Sequence, residues 1–233
     1  MTTELQARAD WIDELERGLS DKVDDVVRRY RQKSSPPRIP IGLPSSLVFV
    51  DTEATGIMPS DRMVSLAAIR IETQALADGV IDARFAHIVC NPGRRSHAAA
   101  RRIHGYRDGM LRKQPMFGEY AREVHELLES SDLLVAHNAT FDRQLIDREF
   151  DTLGLPALTV PSFCTMEAAR TAGLGGRLSL ADIASRIGLA RRSHIHDAAE
   201  DAWLTLRIFL WMVDRPVSAE PPATLLAPSN LQK

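Results

Sequence analysis

The sequence predicts one α/β domain with a mixed sheet and a helical segment in front of it. Strand patterns come first as a meander, and strands then alternate with helical patterns after residue 115. Length and composition agree with this, because 233 residues with 44% hydrophobic and 26% charged residues are typical of a globular domain of about 170 residues plus an appendage.

Residues 1–33 are predicted to be helical, because apolar residues recur there at spacings of three, four or seven. Such a segment cannot bury its apolar stripe alone, so we expect it to pack on the domain or on a partner chain, with a homodimer favoured. Residues 34–46 contain four prolines and are predicted to be a linker. The domain itself is expected to span residues 47–214.

The predicted sheet opens with Leu47–Asp51, a short apolar run that is typical of a buried central strand. Residues 62–72, 80–90 and 133–137 are predicted to be further strands. Helices are expected directly after Asn138, which can cap one of them, and over residues 115–130, 165–171, 179–187 and 197–213. The tail, residues 215–233, contains four prolines and is expected to be disordered.

Acidic residues lie at or after the ends of two predicted buried strands, residues 47–51 and 133–137. Asp51 and Glu53 are two positions apart in an extended segment, so both carboxylates are expected to face one point. Asp142 lies in the first turn of the helix after the second strand, at the same carboxyl edge of the sheet. Ordinary loop acids, and an acid that complements a helix dipole, are the competing interpretations.

Asp201 lies on a largely apolar face of the last predicted helix, where a carboxylate is unfavourable without a cation partner. His196 comes just before this helix and is expected to lie close to Asp201. Together with Asp51, Glu53 and Asp142, these residues would form an oxygen-rich site that suits Mg²⁺ or Mn²⁺ better than zinc. Two such ions could stabilise the attacking and leaving oxygens of a phosphoryl displacement.

A basic strip lies between Asn91 and Lys113, with seven basic residues and one acid. Its charge of +6, within an overall charge of −2, leaves −8 for the rest of the chain. We expect Arg101 and Arg102 in this strip to bind the backbone of a nucleic acid. A solvated arginine-rich surface is the alternative.

Three segments resemble, in order, the motifs of the DnaQ-like DEDDh exonucleases, the family of polymerase proofreading subunits. They are Val50–Gly56 (VDTEATG), Val135–Asp142 (VAHNATFD) and His196–Ala202 (HDAAEDA). The histidine stands five residues before the last aspartate, which is the spacing of the histidine branch of this superfamily. The resemblance covers residues 46–213, and the departure at Ala54, where many members have threonine, involves no proposed ligand.

The resemblance implies a ribonuclease H-like fold, with a mixed five-stranded sheet flanked by helices, and 3′→5′ release of nucleoside monophosphates. Carried over, Asp51 would bridge two metal ions, Glu53 and Asp201 would hold the first, and Asp142 would hold or orient the second. His196 would deprotonate the attacking water.

The resemblance also suggests substrate contacts. The backbone around Thr55 and Gly56 would contact the terminal nucleotide. His104 and Phe141 are candidates for sugar or base contacts, with ordinary packing as the competing interpretation.

The predicted function is therefore a 3′→5′ exonuclease for single-stranded or frayed DNA ends that uses two Mg²⁺ or Mn²⁺ ions. An RNA-trimming exonuclease is the alternative within the family, because discrimination can rest on one contact to the 2′-hydroxyl. A non-catalytic nucleic-acid-binding scaffold is the alternative from another class. A DNA polymerase is a candidate partner. No apolar run reaches the ~18 residues of a membrane span, and the acidic N-terminus is unlike a secretory signal, so we expect a cytoplasmic protein.

Overall fold

The computed structural model describes residues 42–78, 81, 83–192 and 194–215. Within them, one mixed sheet is formed by the strands β1 (Ser46–Ala54), β2 (Met63–Glu72), β3 (Ala83–Val89), β4 (Leu133–Ala136) and β5 (Ser162–Cys164). The spatial order is β3-β2-β1-β4-β5. The first three strands pair antiparallel, whereas β4 runs parallel to β1 and β5 runs parallel to β4. The predicted mixed five-stranded sheet is confirmed.

Helices occupy the connections and both faces of the sheet. They are α1 (Ala98–His104), α2 (Asp108–Leu111), α3 (Ala121–Glu129), α4 (Ala139–Thr152), α5 (Thr165–Thr171), α6 (Leu180–Arg186) and α7 (Ala198–Met212). Short 3₁₀ segments follow β2 at Thr73–Asp78 and precede α3 at Phe117–Glu119. In the described part of the chain, no helix is long and apolar enough to cross a membrane.

The central strand β1 has apolar side chains on both faces, which is why its sequence is an unbroken apolar run. Val48 and Val50 belong to the core shared with α3 and α4, whereas Leu47 and Phe49 pack against α7. The ring of Phe49 meets that of Phe209 edge-on at 5.6 Å. Each fully buried side chain of this size stabilises the fold by about 1.5–3 kcal/mol, so β1 is held firmly from both sides.

The helix α7 is buried on nearly all sides, as expected for a helix whose apolar residues surround its axis. One side packs on the sheet, and the other packs on a second core formed with α5 and α6. Asp197 caps its N-terminus by accepting hydrogen bonds from the backbone N–H groups of Ala199 and Glu200. The position of α7 along the sheet is therefore fixed by packing and by its cap.

Two boundaries near the sheet edge differ from the predictions. The strand β1 continues to Ala54 instead of ending at Asp51, because its antiparallel pairing with β2 extends beyond the end of its parallel pairing with β4, at Val50. Asn138 precedes α4 in a left-handed conformation (φ 76°), and its side chain makes no capping hydrogen bond, so the predicted cap was wrong. Asparagine tolerates this conformation better than most residues.

Other elements were absent from the predictions. The strand β5 has three residues after a proline, and α1 and α2 are short helices within the basic strip. The helix predicted from residue 115 begins at Ala121, after the 3₁₀ turn. The predicted helices at residues 165–171, 179–187 and 197–213 are confirmed to within one residue at each end. The predicted N-terminal helix, most of the linker and the tail from residue 216 lie outside the described residues.

Candidate active site

Four carboxylates meet at the carboxyl edge of the sheet, where β1 extends beyond β4. Asp51 and Glu53 alternate with Thr52 along β1, so they share the face that α7 covers. Asp201 comes from the first turn of α7, and Asp142 comes from the first turn of α4. The structure thus brings together the four acids that the sequence singled out.

Burial raises the pKa of each of these carboxyl groups. The pKa of Glu53 rises to about 8 and that of Asp142 to about 7, and the negative charge of Asp201 adds to the increase in both. Thr52 opposes the effect at Asp142 by donating a 2.8 Å hydrogen bond from its hydroxyl. The cluster is therefore short of positive charge, and a bound cation would stabilise its ionised form.

His196 lies beside these acids. Its Nδ1 atom is 3.4 Å from Oδ2 of Asp201 and 3.8 Å from Oε1 of Glu53. Burial lowers the pKa of the imidazole, and the positive charge of Arg191 lowers it further. The ring is therefore neutral near pH 7 and can accept a proton.

The segment before α7 is anchored to the end of α1. The backbone N–H of His196 donates a 2.9 Å hydrogen bond to the carbonyl of Ile103. Next to it, Gly105 adopts φ +73°, and a Cβ at this position would lie 2.9 Å from the side chain of Ile195. A side chain at residue 105 would collide with Ile195, so the segment before α7 packs closely against the end of α1. This packing and the hydrogen bond to Ile103 position His196.

The turn after β1 is held by a buried acid, Asp61. Its carboxylate accepts hydrogen bonds from the hydroxyl of Thr55, at 2.7 Å, and from the backbone N–H of Met58, at 2.8 Å. Gly56 has no room for a Cβ, which would collide with the carboxylate of Asp61 and the ring of His97. The turn is therefore fixed beside the carboxylates, and Asp61 is a positioning residue that the sequence analysis missed.

A cleft of about 750 Å³ opens onto the site. Asp51, Glu53 and His196 lie at its base, and its walls carry an apolar surface formed by Ile57, Met58, Ile103 and Phe141. Ile57 is 86% exposed, which is unusual for an isoleucine in a rigid turn. The volume lies within the range of about 300–1,000 Å³ that is typical of small-ligand sites.

The residues predicted to contact substrate do not all line the cleft. Gly56 and Phe141 line the cleft, and Thr55 lies buried directly beneath it. His104 is 2% exposed, and its Nδ1 accepts a hydrogen bond from the backbone N–H of Tyr106. This position agrees with the packing interpretation, and a contact between His104 and substrate stays a prediction.

Arg101 and Arg102 are exposed on α1. Among the described residues, those of α1 that line the cleft are Ala99, Ala100 and Ile103, so neither arginine reaches the carboxylates. Arg101 pairs with Asp108, with 3.2 Å between Nη1 and Oδ2. If the two arginines bind nucleic acid, they would do so outside the cleft, along the part of the nucleic-acid strand that leads into it.

The donor set of the site fits a hard divalent cation. Glu53, His196 and Asp201 each offer one ligand atom, and these atoms lie within 4.8 Å of one another. Asp51 and Asp142 add further carboxylate oxygens, the ligands that Mg²⁺ and Mn²⁺ prefer.

Two DNA polymerase III epsilon subunits are similar to this chain in sequence. The DNA polymerase III epsilon subunit of Pasteurella multocida is 28% identical over 184 residues, which cover 74% of this chain and 70% of the relative. The corresponding subunit of Aquifex aeolicus is 29% identical over 187 residues, which cover 78% and 89%.

Solved structures show the same fold. A zinc-bound complex of E. coli exonuclease I with single-stranded DNA superposes with a TM-score of 0.61 at 18% identity, over 73% of this chain and 40% of that one. Exonuclease X in complex with 5′-overhanging duplex DNA gives a TM-score of 0.57 at 24% identity, over 78% and 99%. These likenesses confirm the predicted ribonuclease H-like fold.

A family model also matches most of this chain. The family RNase_T, described as exonuclease, matches residues 48–209, which include all four carboxylates and His196. Since this match spans well over half of the chain, the protein belongs to the exonuclease family and is a DnaQ-like nuclease.

Proposed function

We propose that this protein is a 3′→5′ exonuclease that releases nucleoside monophosphates from single-stranded or frayed DNA ends. The observation that carries the proposal is the meeting of four carboxylates, three buried and that of Asp51 half-buried, with a neutral imidazole beside a cleft large enough for a nucleotide. Such an arrangement suits the hydrolysis of a phosphodiester, in which negative charge develops next to the attacking and leaving oxygens.

The carboxylates would hold two Mg²⁺ or Mn²⁺ ions. Glu53 and Asp201 would hold one ion, Asp142 the other, and Asp51 would contact both. When bound, divalent cations lower the pKa of water and stabilise negative charge on the phosphate. The unfavourable burial and repulsion that raise the pKa of Asp51 and its neighbours give the site a strong preference for positive charge.

His196 would act as the general base. Its ring accepts the proton of the attacking water while the water oxygen bonds to phosphorus. The bond from phosphorus to the 3′ oxygen of the preceding nucleotide breaks, and this oxygen takes up a proton from solvent. The products are a nucleoside 5′-monophosphate and a strand with a new 3′-hydroxyl. The lowered pKa of the ring keeps it free to accept this proton near neutral pH.

The walls of the cleft would hold the terminal nucleotide. Ile57, Met58, Ile103 and Phe141 provide apolar surface against which an unpaired base can pack. Gly56 lines the cleft beside these residues, so its backbone would be available to a sugar or phosphate of the terminal nucleotide. An unpaired end enters such a cleft more readily than a paired one, which supports single-stranded or frayed ends as the substrate.

A partner is proposed from the relatives. The curated proteins cited above are subunits of DNA polymerase III, so a polymerase is the partner that we propose for this chain. A homodimer through residues 1–33 remains a prediction from the sequence.

The proposal is tested by digestion of matched DNA and RNA oligonucleotides that carry a label at the 5′ or the 3′ end. With Mg²⁺ or Mn²⁺, we expect 5′-labelled DNA to shorten stepwise and 3′-labelled DNA to release labelled mononucleotide from the start. Preference for RNA would identify an exoribonuclease instead. Binding without metal-dependent release would support the scaffold alternative.

Replacing Asp51 with Asn is expected to abolish activity and to preserve the fold. Removal of one charge relieves repulsion, so the Tm of the metal-free variant should hold or rise, but added metal should no longer raise it. Activity and Tm are measured for this variant and for Asp151→Asn, an exposed acid on α4 that serves as control. Retention of more than a few per cent of parental activity in Asp51→Asn would contradict the two-metal proposal.

Replacing His196 with Ala should lower turnover by about 10²–10⁴-fold, the usual contribution of a general base. Metal affinity, measured by calorimetry, should change little. His194→Ala removes an exposed histidine two residues away and should leave both quantities unchanged. A large loss of metal affinity in His196→Ala would instead place this histidine among the metal ligands.

Reversing Arg101 and Arg102 to Glu should weaken binding of a single-stranded oligonucleotide and reduce its salt dependence. Each lost phosphate contact should lower the slope of log affinity against log salt by roughly 0.7. Binding is measured with Ca²⁺ in place of Mg²⁺, to block cleavage. The charge-matched control replaces the exposed residues Arg170 and Arg177 with Glu. If the slope is the same in both double variants and the parent, the strip is only a solvated surface.

The metal-free protein should lose stability as pH rises from about 7 to about 8, and the loss should level off at higher pH. The folded carboxyl groups of Asp142 and Glu53, with pKa values of about 7 and 8, hold protons that the unfolded chain has released, so raising the pH favours unfolding. The interval begins near pH 7 because His137, whose pKa is lowered to about 4 in the folded protein, opposes this trend at lower pH, where the unfolded chain still binds its proton. Thermal unfolding tests this, and a Tm that rises across the interval would show that the acids are not buried together.

A further inference from the structure

One positive charge lies inside the carboxylate cluster. Arg191, in the segment between α6 and α7, donates two hydrogen bonds to Asp201 from one edge of its guanidinium group. Its Nε atom lies 2.5 Å from Oδ1 and its Nη2 atom 2.8 Å from Oδ2. The side chains are 15% and 3% exposed, respectively, so this is a bidentate ion pair largely shielded from water.

The guanidinium affects more than its direct partner. Burial has the largest influence on the pKa of Asp51 and Glu53 and raises both, and the positive charge of Arg191 acts in the opposite direction on each. Arg191 thus partly neutralises the cluster while it occupies both oxygens of Asp201. It supplies the cation partner that a carboxylate on the apolar helix α7 requires.

The same oxygens are those that a divalent cation would need. A guanidinium and a dication that share one buried carboxylate would repel each other at short distance, and little water is present to screen them. We propose that Arg191 is the internal counter-ion of the metal-free site and that a divalent cation binds by displacing it from Asp201. This inference rests on the metal site of the proposed function, and it makes Arg191 a residue that sets the metal affinity.

If Arg191 instead positioned Asp201 for the metal, removing Arg191 would change the metal affinity in the opposite direction. If Arg191 served to orient Asp201 toward the metal, its removal would weaken metal binding. If it competes with the metal, its removal strengthens binding and leaves the metal-free cluster without its counter-ion. The sign of the change in metal affinity therefore separates the two roles.

The next residue provides a matched control. Arg192 also pairs with an acid of α7, with 3.1 Å between its Nε and Oε1 of Glu200, but its side chain is 61% exposed. The variant Arg192→Gln removes the same charge from the adjacent position and leaves the pair between Arg191 and Asp201 in place. A general effect of net charge would appear equally in both variants.

The experiment uses the full chain as parent, Arg191→Gln and Arg192→Gln. Calorimetric titration with Mn²⁺ and with Ca²⁺ measures affinity, and thermal unfolding with and without metal measures stability. We expect Arg191→Gln to bind metal about 5- to 150-fold more tightly, the usual range for coupled sites. Its metal-free Tm should be lower and its gain in Tm on adding metal larger, whereas Arg192→Gln should stay within about twofold of the parent, as expected for an exposed pair.

Several results would overturn the inference. Equal or weaker metal affinity in Arg191→Gln would show that Arg191 orients Asp201 instead of competing for it, and an equal gain in Arg192→Gln would reduce the effect to net charge. If the parent binds no metal, the proposed function fails and the inference fails with it. Should Arg191→Gln not fold, Arg191→Lys keeps the charge but cannot form the bidentate pair, and an affinity no higher than the parent's would count against displacement.

Discussion

Four acidic side chains, three buried and that of Asp51 half-buried, lie together at one edge of the sheet, and the packing around them must hold them there. Desolvation and mutual repulsion oppose this burial, as the raised pKa values of Asp51, Glu53, Asp142 and Asp201 show. The packing of the domain must therefore hold the acids together. The two apolar layers on either side of β1 do so, because they fix the strand and the helix α7 that carry three of the four.

The topology of the sheet determines where this edge lies. The strand β1 pairs with β4 only as far as Val50, yet it continues along β2 through Glu53. Its last residues thus extend beyond the parallel part of the sheet, with one face covered by the start of α7. The open space beyond β4 becomes the cleft, and the turn fixed by Asp61 forms one of its walls.

Much of this arrangement could be predicted from local sequence. The apolar run of β1, the period of α7 and the spacing from His196 to Asp201 are short-range patterns, so the sequence indicated the central strand, the last helix and the acids that they carry. The burial of Asp61 depends on contacts with the turn after β1, and α1 is a seven-residue helix between loops. The sequence around Asp61 and that of α1 contain no periodic pattern long enough to be recognised. The strand β5 has only three residues and depends on pairing with β4.

The sequence also does not identify which arginine pairs with Asp201. An acid on the apolar face of α7 indicates that a cation must be near, and this could be argued from Asp201 alone. Three arginines, Arg186, Arg191 and Arg192, precede it within fifteen residues, and the sequence does not distinguish among them. Only the path of the chain before α7 places Arg191 on Asp201 and Arg192 on Glu200.

The proposed function and the displacement of Arg191 both require that this carboxylate cluster binds divalent cations. Crystals grown with Mn²⁺ test it most directly, because anomalous scattering locates the ion independently of the protein. We expect Mn²⁺ between the carboxylates of Asp51, Glu53 and Asp201, with the guanidinium of Arg191 moved from Asp201. An anomalous map without density there, with Arg191 still paired to both oxygens of Asp201, would contradict it.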